Sequence, residues 1–268
     1  YREMIENTDG VISGIKKIKS LLGIDSVYIG IESNKPKAIA LFEEKLAGED
    51  GYKVLRLKTS YPQGAEKVIA FNATGRIITE GTLPSDHGFL VMNVSTVGFI
   101  NSYLETGMPL VERRLTVDGD AVKTPCNVKA PIGMKLSDIL KLTDTNIEGI
   151  HKLVSGGPMM GTCIYDLNTP VCKTNNAFLA FKKPVSLKGL VVESGQTNCI
   201  RCGRCIDACP IGLMPTELEK AYDRKDREAL NKLKINLCMN CGSCSYVCPA
   251  KRDLAEKNQL AKGFAMSK

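Results

Sequence analysis

The sequence predicts a mixed chain in three parts: an α/β segment over residues 1–108, a small α+β module over 109–183 and a helical domain over 184–268. Three observations carry this. Helix and strand patterns alternate through the first part. Short strands surround one short helix in the second. In the third, eight of the eleven cysteines repeat one spacing.

In the first part, Ile5, Ile12, Ile15, Ile18, Leu21 and Leu22 fall on one helical stripe. Val27 to Ile31 reads as a short apolar strand. Lys37 to Leu46 reads as a helix opened by Pro36 and ended near Gly48. Tyr52 to Leu57 alternates as a second strand. Helix, strand, helix, strand predicts a parallel pair. The chain starts at Tyr1, and Tyr1 to Ile5 read as helix interior, so the sequence reads as the N-terminally truncated part of a longer polypeptide.

In the second part, Val111, Leu115 and Val117 lead into Asp118-Gly119, a hairpin signal, with Val122 to Val128 as the returning strand. A short helix carries Leu136, Ile139 and Leu140. His151 to Val154 follows as strand, then the Gly-rich turn Ser155 to Gly161.

The third part reads Cys199, Cys202, Cys205, Cys209-Pro210 and Cys238, Cys241, Cys244, Cys248-Pro249. Each copy is C-x2-C-x2-C-x3-C-P, the run that binds cubane iron–sulfur clusters in two-cluster ferredoxins. Each iron of a cubane takes one thiolate, and in a duplicated run the fourth cysteine serves the other cluster. The expected sets are therefore Cys199, Cys202, Cys205 and Cys248 for one cluster, and Cys238, Cys241, Cys244 and Cys209 for the second. Gly203 and Gly242 sit where backbone must approach inorganic sulfide. Two zinc sites are the alternative, although zinc favours separated C-x2-C pairs. Between the runs, Ile211 to Leu237 spans 27 residues, enough for helices. Thr216 to Glu219 reads as a capping box after Pro215, and Leu218, Tyr222, Leu230 and Leu233 mark one or two helices. The segment from Lys251 to Lys268 reads as a solvated helix.

Composition narrows the classes. Hydrophobic content of 43% is that of a globular chain. No apolar run approaches the roughly 18–20 residues that span a bilayer. The formal charge is +7 with cysteines neutral. Two oxidised cubanes would bring it to about +3, which argues against nucleic acid as a partner.

Three segments carry a resemblance: Tyr61-Pro62-Gln63-Gly64-Ala65-Glu66-Lys67, Leu83-Pro84-Ser85-Asp86-His87-Gly88, and Asn93-Val94-Ser95-Thr96. With the Gly156–Gly161 stretch and both cysteine runs, they resemble the RnfC subunit family of the Rnf complex, in order along the whole chain. The resemblance implies an electron-transfer subunit of a membrane-bound, ion-translocating ferredoxin:NAD oxidoreductase. That subunit lies peripherally on the cytoplasmic side of the membrane, without a transmembrane segment of its own. Its expected partners are NAD(H), the other Rnf membrane subunits and a ferredoxin-like subunit. The implied folds are a partial α/β domain like the flavin subunit of respiratory complex I (1–108), a β-grasp module of the SLBB type (109–183) and a helical ferredoxin domain with two [4Fe-4S] clusters (184–268).

The same resemblance assigns FMN contacts to Tyr61, Gly64, Glu66, Asn93 and Thr96. Complex I has two adjacent carboxylates where this chain has Ala65-Glu66. The family's Gly-rich flavin loop would lie upstream of Tyr1, so the flavin site is expected to be incomplete in this chain. Two relatives share the layout and remain open: a cobalamin reductase and the electron donor of a proline reductase. A cluster-stabilised interaction module without a redox role is the alternative of another class. Cys126, Cys163 and Cys172 are left over and are expected to be buried as small hydrophobes. His87 is expected in a turn; Lys67 reads equally as a residue that neutralises a phosphate or as an ordinary surface lysine.

Overall fold

The computed structural model describes residues 1–183 and 195–267; the expected start of the third part at 184 lies outside them. The chain divides into two compact units, Tyr1–Pro109 and Leu110–Lys268.

The first unit runs α1 (Arg2–Glu6), α2 (Thr8–Leu22), β1 (Val27–Glu32), α3 (Pro36–Lys45), β2 (Tyr52–Leu57), α4 (Glu66–Thr74) and α5 (Val94–Thr106), with a 3-10 turn over Pro84–His87 before α5. Strands β1 and β2 pair in parallel, from Val27 opposite Tyr52 to Glu32 opposite Leu57. A parallel pair needs a crossover, which α3 supplies. Pro36 occupies the first turn of α3, where its missing N–H is no loss. Ile29 and Ile31 point into a core with Val11, Ile12, Ile15, Phe42 and Val97. The predicted stripe on α2 stops short. Its buried residues all lie between Thr8 and Ile15, and Leu21 and Leu22 in the last turn are exposed. Helix α2 crosses α5 closely at Gly14, where a β-carbon would lie 2.5 Å from the Val97 carbonyl oxygen.

The second unit opens with a five-stranded sheet. Its strands are β3 (Glu112–Asp118), β4 (Cys126–Pro131), β5 (Lys152–Ser155), β6 (Thr162–Cys163) and β7 (Ala177–Phe181), with α6 (Leu136–Leu142) between β4 and β5. The order is β4-β3-β7-β5-β6. The central pair β3 and β7 is parallel, and the other pairs are antiparallel. Leu136, Ile139 and Leu140 of α6 are fully buried against Leu115, Val117 and Phe178. The returning strand begins at Cys126, not at Val122. Ala121 and Val122 are drawn into the core instead, and the Ala121 N–H donates to the Ala180 carbonyl at 3.1 Å, so the connection is longer than a hairpin turn.

The cysteine region carries α7 (Arg204–Asp207), α8 (Pro215–Asp223), α9 (Arg227–Lys232), α10 (Ser243–Tyr246) and α11 (Leu254–Met266), with a 3-10 turn over Ile235–Leu237. Leu213, Leu218, Ala221, Leu230, Ile235 and Ala261 form its core. The predicted capping box does not form. Helix α8 begins at Pro215 with Met214 as its uncapped N-cap, which places Thr216 inside the first turn. Helix α9 is capped instead, by the Asp226 carboxylate accepting from the Ala229 N–H at 2.9 Å. Helix α11 is more than a solvated tail: Leu254, Asn258 and Ala261 are buried along one stripe. Among the described residues, no helix is long and apolar enough to cross a membrane.

Candidate iron–sulfur centres and flavin site

The two cysteine runs fold alike, position by position. Arg201 and Asn240 both take left-handed backbone (φ 57° and 53°), as do Gly203 and Gly242 (79° and 83°) and then Gly212 and Lys251 (67° and 53°). Gly203 and Gly242 cap the short helices α7 and α10. The left-handed steps turn amides toward sulfur. The Arg201 N–H reaches the Cys199 Sγ at 3.4 Å, and the Leu213 N–H reaches the Cys209 Sγ at 3.3 Å. Amide donors of this kind favour the anionic form of a thiol or cluster.

The runs then exchange their last cysteines. One hollow is lined by Cys199, Cys202, Cys205 and Cys248, the other by Cys209, Cys238, Cys241 and Cys244. Among the described residues, no three His, Cys, Asp or Glu side chains stand close enough to hold a single ion. Tetrahedral zinc would draw four thiolates together on bonds of about 2.3 Å. Four thiols spread around a hollow fit a cubane, with one iron at each corner.

The hollows differ in their surroundings. The first has the exposed Cys202 and, on its rim, Arg201, Arg204 and the exposed Ile200. The second is walled by Ile211, Leu213, Pro215 and Met239, and by Ala255 and Asn258 of α11. Burial pushes the Cys205 and Cys238 thiols up. Burial, with the Cys238 charge second, pushes Cys244 up to about 12. Without a cluster these thiols hold their protons, and a cluster displaces them on binding.

Charged side chains brace the first hollow. Glu219 on α8 is almost wholly buried and accepts two hydrogen bonds from Arg252, from Nε at 2.9 Å and Nη2 at 2.6 Å. Arg252 Nη1 also donates to the Thr197 carbonyl at 3.1 Å. The Glu219 bonds are the main reason the Arg252 guanidinium is held above its ordinary range, and the charges at Cys199 and Cys248 add to it. Lys257 on α11 lies 3.2 Å from Glu219 and 2.9 Å from Asp223.

The flavin residues expected from the resemblance stand at two helix N-termini in the first unit. Tyr61 and Gly64 lie in the loop before α4, and Glu66 is the first residue of that helix. Asn93 is the N-cap of α5, with Oδ1 accepting from the Ser95 N–H at 2.9 Å, and Thr96 lies in the first turn. All five residues are exposed. A β-carbon on Gly64 would meet nothing within 4 Å, so that stretch of backbone is open to a planar ligand. The start of α4 has no side-chain cap, and uncapped N–H groups at a helix start suit a phosphate or a flavin's carbonyl edge.

Some smaller expectations change. Cys126 and Cys163 are only half-buried and Cys172 is exposed, because β4 and β6 are the sheet's edge strands and Cys172 lies in a loop. His87 is in the 3-10 turn, its Nε2 2.8 Å from the Thr82 Oγ1. Lys67 donates to the Thr79 carbonyl at 3.0 Å. Four features escaped the sequence reading: the Glu219–Arg252 pair, the packing of the Gly-rich turn on the second run, Asn258 and Lys262. The only available signal was Asn258, a polar residue on the apolar stripe of α11.

Residues 1–102 match the Nuo51 FMN-binding domain, and residues 198–252 match the 4Fe-4S dicluster domain. The C subunit of the proton-translocating ferredoxin:NAD(+) oxidoreductase complex of Clostridium ljungdahlii is 39% identical over 237 residues, 88% of this chain and 50% of that protein. The C subunit of the Na(+)-translocating ferredoxin:NAD(+) oxidoreductase complex of Acetobacterium woodii is 35% identical over 266 residues, 97% of this chain and 57% of that protein. The chain thus spans about half the length of these two relatives. A chain of an NAD+-reducing [NiFe]-hydrogenase in its H2-reduced state shares the fold. Its TM-score is 0.62 at 13% identity, covering 99% of this chain and 54% of that one. Over most of its length, the chain is a homologue of the C subunits of ion-translocating ferredoxin:NAD(+) oxidoreductase complexes, with an FMN-binding domain of the Nuo51 type and a 4Fe-4S dicluster domain.

Proposed function

We propose that the protein is the electron-transfer subunit of a membrane-bound, ion-translocating ferredoxin:NAD oxidoreductase, docked peripherally on the cytoplasmic side. The observation that carries the reading is the exchange of Cys209 and Cys248 between the two hollows. Crossed fourth ligands are the mark of paired cubanes. Bound FMN would exchange hydride with NAD(H) and release electrons singly, and the two [4Fe-4S] clusters would take them one at a time.

The chain's own residues hold and screen these groups. Cys199, Cys202, Cys205 and Cys248 ligate one cluster, and Cys238, Cys241, Cys244 and Cys209 the other. Left-handed Gly203 and Gly242 bring backbone against each cluster, and the apolar wall of the second hollow keeps water out. Gly64 leaves room for the flavin plane. Tyr61 and Glu66 border that space, and Asn93 and Thr96 offer it polar contacts. Residues 109–183 form the β-grasp module of the SLBB type. A mixed sheet with a parallel central pair and one helix after its second strand supports this. The parts then run 1–108 for flavin and NAD(H), 109–183 for the β-grasp and 184–268 for the clusters, with the other subunits of the complex and a ferredoxin-like protein as partners.

The test is NADH-dependent bleaching of the full-length protein loaded with iron, sulfide and FMN. The reading expects loss of the brown cluster absorbance on adding NADH and its return with an oxidant. Clusters that dithionite and NADH both leave unreduced would mark an interaction module instead.

A further inference from the structure

Helix α11 turns Asn258 into the second hollow and, one turn on, sends Lys262 to the backbone of Cys238. Asn258 lines it and is 1% exposed, and its Oδ1 has no hydrogen-bond partner among the described residues. A buried amide left unsatisfied is costly, so its retention in an apolar stripe needs a reason. Rotation about the amide's terminal bond exchanges its acceptor for its two donors. The sulfides and thiolates of a cluster are acceptors, which gives the amide a partner.

Lys262 lies four residues on. Its Nζ donates to the Cys238 carbonyl at 2.9 Å in a partly buried setting. Among the described residues, no carboxylate lies within ion-pair distance of it. Two cations near the first hollow, Arg252 and Lys257, are arranged differently. Glu219 clamps Arg252 from two sides, and Lys257 is shared between Glu219 and Asp223. Those two cations are thus neutralised, whereas Lys262 is not; Arg201 and Arg204, on the rim of the first hollow, are exposed to solvent.

One-electron reduction adds a negative charge to a cluster whose thiolates already make it anionic. No bond breaks and no proton is taken up; the electron comes from the neighbouring cluster or the flavin. In an apolar wall that added charge is disfavoured, which lowers the potential. A donor hydrogen bond to sulfur and an uncancelled cation both oppose this. We propose that Asn258 and Lys262 raise the reduction potential of the second cluster, Asn258 by donating its amide to a cluster sulfur and Lys262 by holding unneutralised positive charge over Cys238. The enclosed cluster is thereby kept within exchange range of the solvent-facing one.

This inference rests on the two-cluster reading. Its test is an EPR-monitored redox titration of the full-length protein, in which both midpoint potentials are read. Lys262→Gln keeps a donor for the Cys238 carbonyl but removes the charge. It should lower one of the two potentials by about 59 mV, equivalent to tenfold in a one-electron equilibrium, and leave the other in place. Lys262→Arg should restore it. Asn258→Leu should lower the same potential. Wild-type potentials in both Lys262→Gln and Asn258→Leu, with both cluster signals present, overturn the proposal. Wild-type protein that binds zinc in place of iron overturns the cluster reading beneath it.

Discussion

Gly242, in the second cysteine run, faces the backbone of Met159 in the Gly-rich turn that follows β5: a β-carbon on Gly242 would lie 2.7 Å from the Met159 carbonyl oxygen. That turn is tied by the Gly161 N–H donating to the Gly157 carbonyl at 2.8 Å, so it cannot easily give way. The sheet module and the cysteine region therefore meet backbone to backbone, at the loop that lines the second hollow.

Gly203→Ala and Gly242→Ala should differ for that reason. Both positions are left-handed (φ 79° and 83°), so each substitution strains the backbone by about 1–2 kcal/mol. A β-carbon at 203 meets nothing within 4 Å, so the strain is the whole cost there. At 242 the contact with Met159 adds to it. Thermal unfolding of the loaded protein should show a clearly larger drop in Tm for Gly242→Ala, with cluster loss from the second hollow.

Ligand exchange can be read by counting iron. Cys209→Ser combined with Cys238→Ser should remove no more iron than either change alone, because both cysteines line one hollow. Cys209→Ser combined with Cys199→Ser should empty both. If clusters instead formed within each run, the two double variants would give the opposite result.

The Glu219–Arg252 pair is buried on the acidic side and largely buried on the basic side. Removing one partner leaves an uncompensated buried charge, which costs about 3–5 kcal/mol. Glu219→Gln or Arg252→Met should therefore lower stability by about 3 kcal/mol in urea unfolding. Glu219→Leu with Arg252→Met should recover most of it, since an apolar pair carries no desolvation penalty.

The metal-free protein should lose stability in alkali. The Cys244 thiol, ordinarily 9.0, is pushed up to about 12 by burial and the Cys238 charge. Between those values the native form keeps a proton that the unfolded chain has released. Stability from this group is thus fully present below about pH 9 and falls as pH rises toward 12. Urea unfolding at pH 8 and pH 10 reads the difference. Cluster insertion should likewise release protons, measurable with an indicator dye in weak buffer.

Asn93 and Thr96 can be separated. Asn93→Ala removes the cap of α5 and should cost about 1 kcal/mol of stability. Thr96→Ala, at an exposed side chain, should leave stability unchanged. If both contact the flavin, both should weaken FMN binding in a fluorescence-quenching titration of the full-length protein.

What the sequence displayed was what short-range spacing can encode. The cysteine steps, Pro36 opening α3, the apolar run of β1 and the alternation of β2 all lie within a few residues of their partners, and their pattern was legible. Thr216 to Glu219 also looked local, as a cap. Glu219 instead faces inward to a residue 33 positions away, and nothing in its neighbourhood announces that. Gly242 with Met159 and Lys262 with Cys238 are long-range pairs of the same kind. Val122 misled through its own hydrophobicity: β-branched and apolar, it suits a strand or a buried loop equally, and only the packing around Ala180 decides between them.

The interleaving of Cys209 and Cys248 also bears on how such a protein matures. A ribosome delivers the first run intact while the closing cysteine of its hollow is still 39 codons short of translation. Neither hollow has all four of its cysteines until the second run has emerged, so full protein ligation of either cofactor comes only late in synthesis.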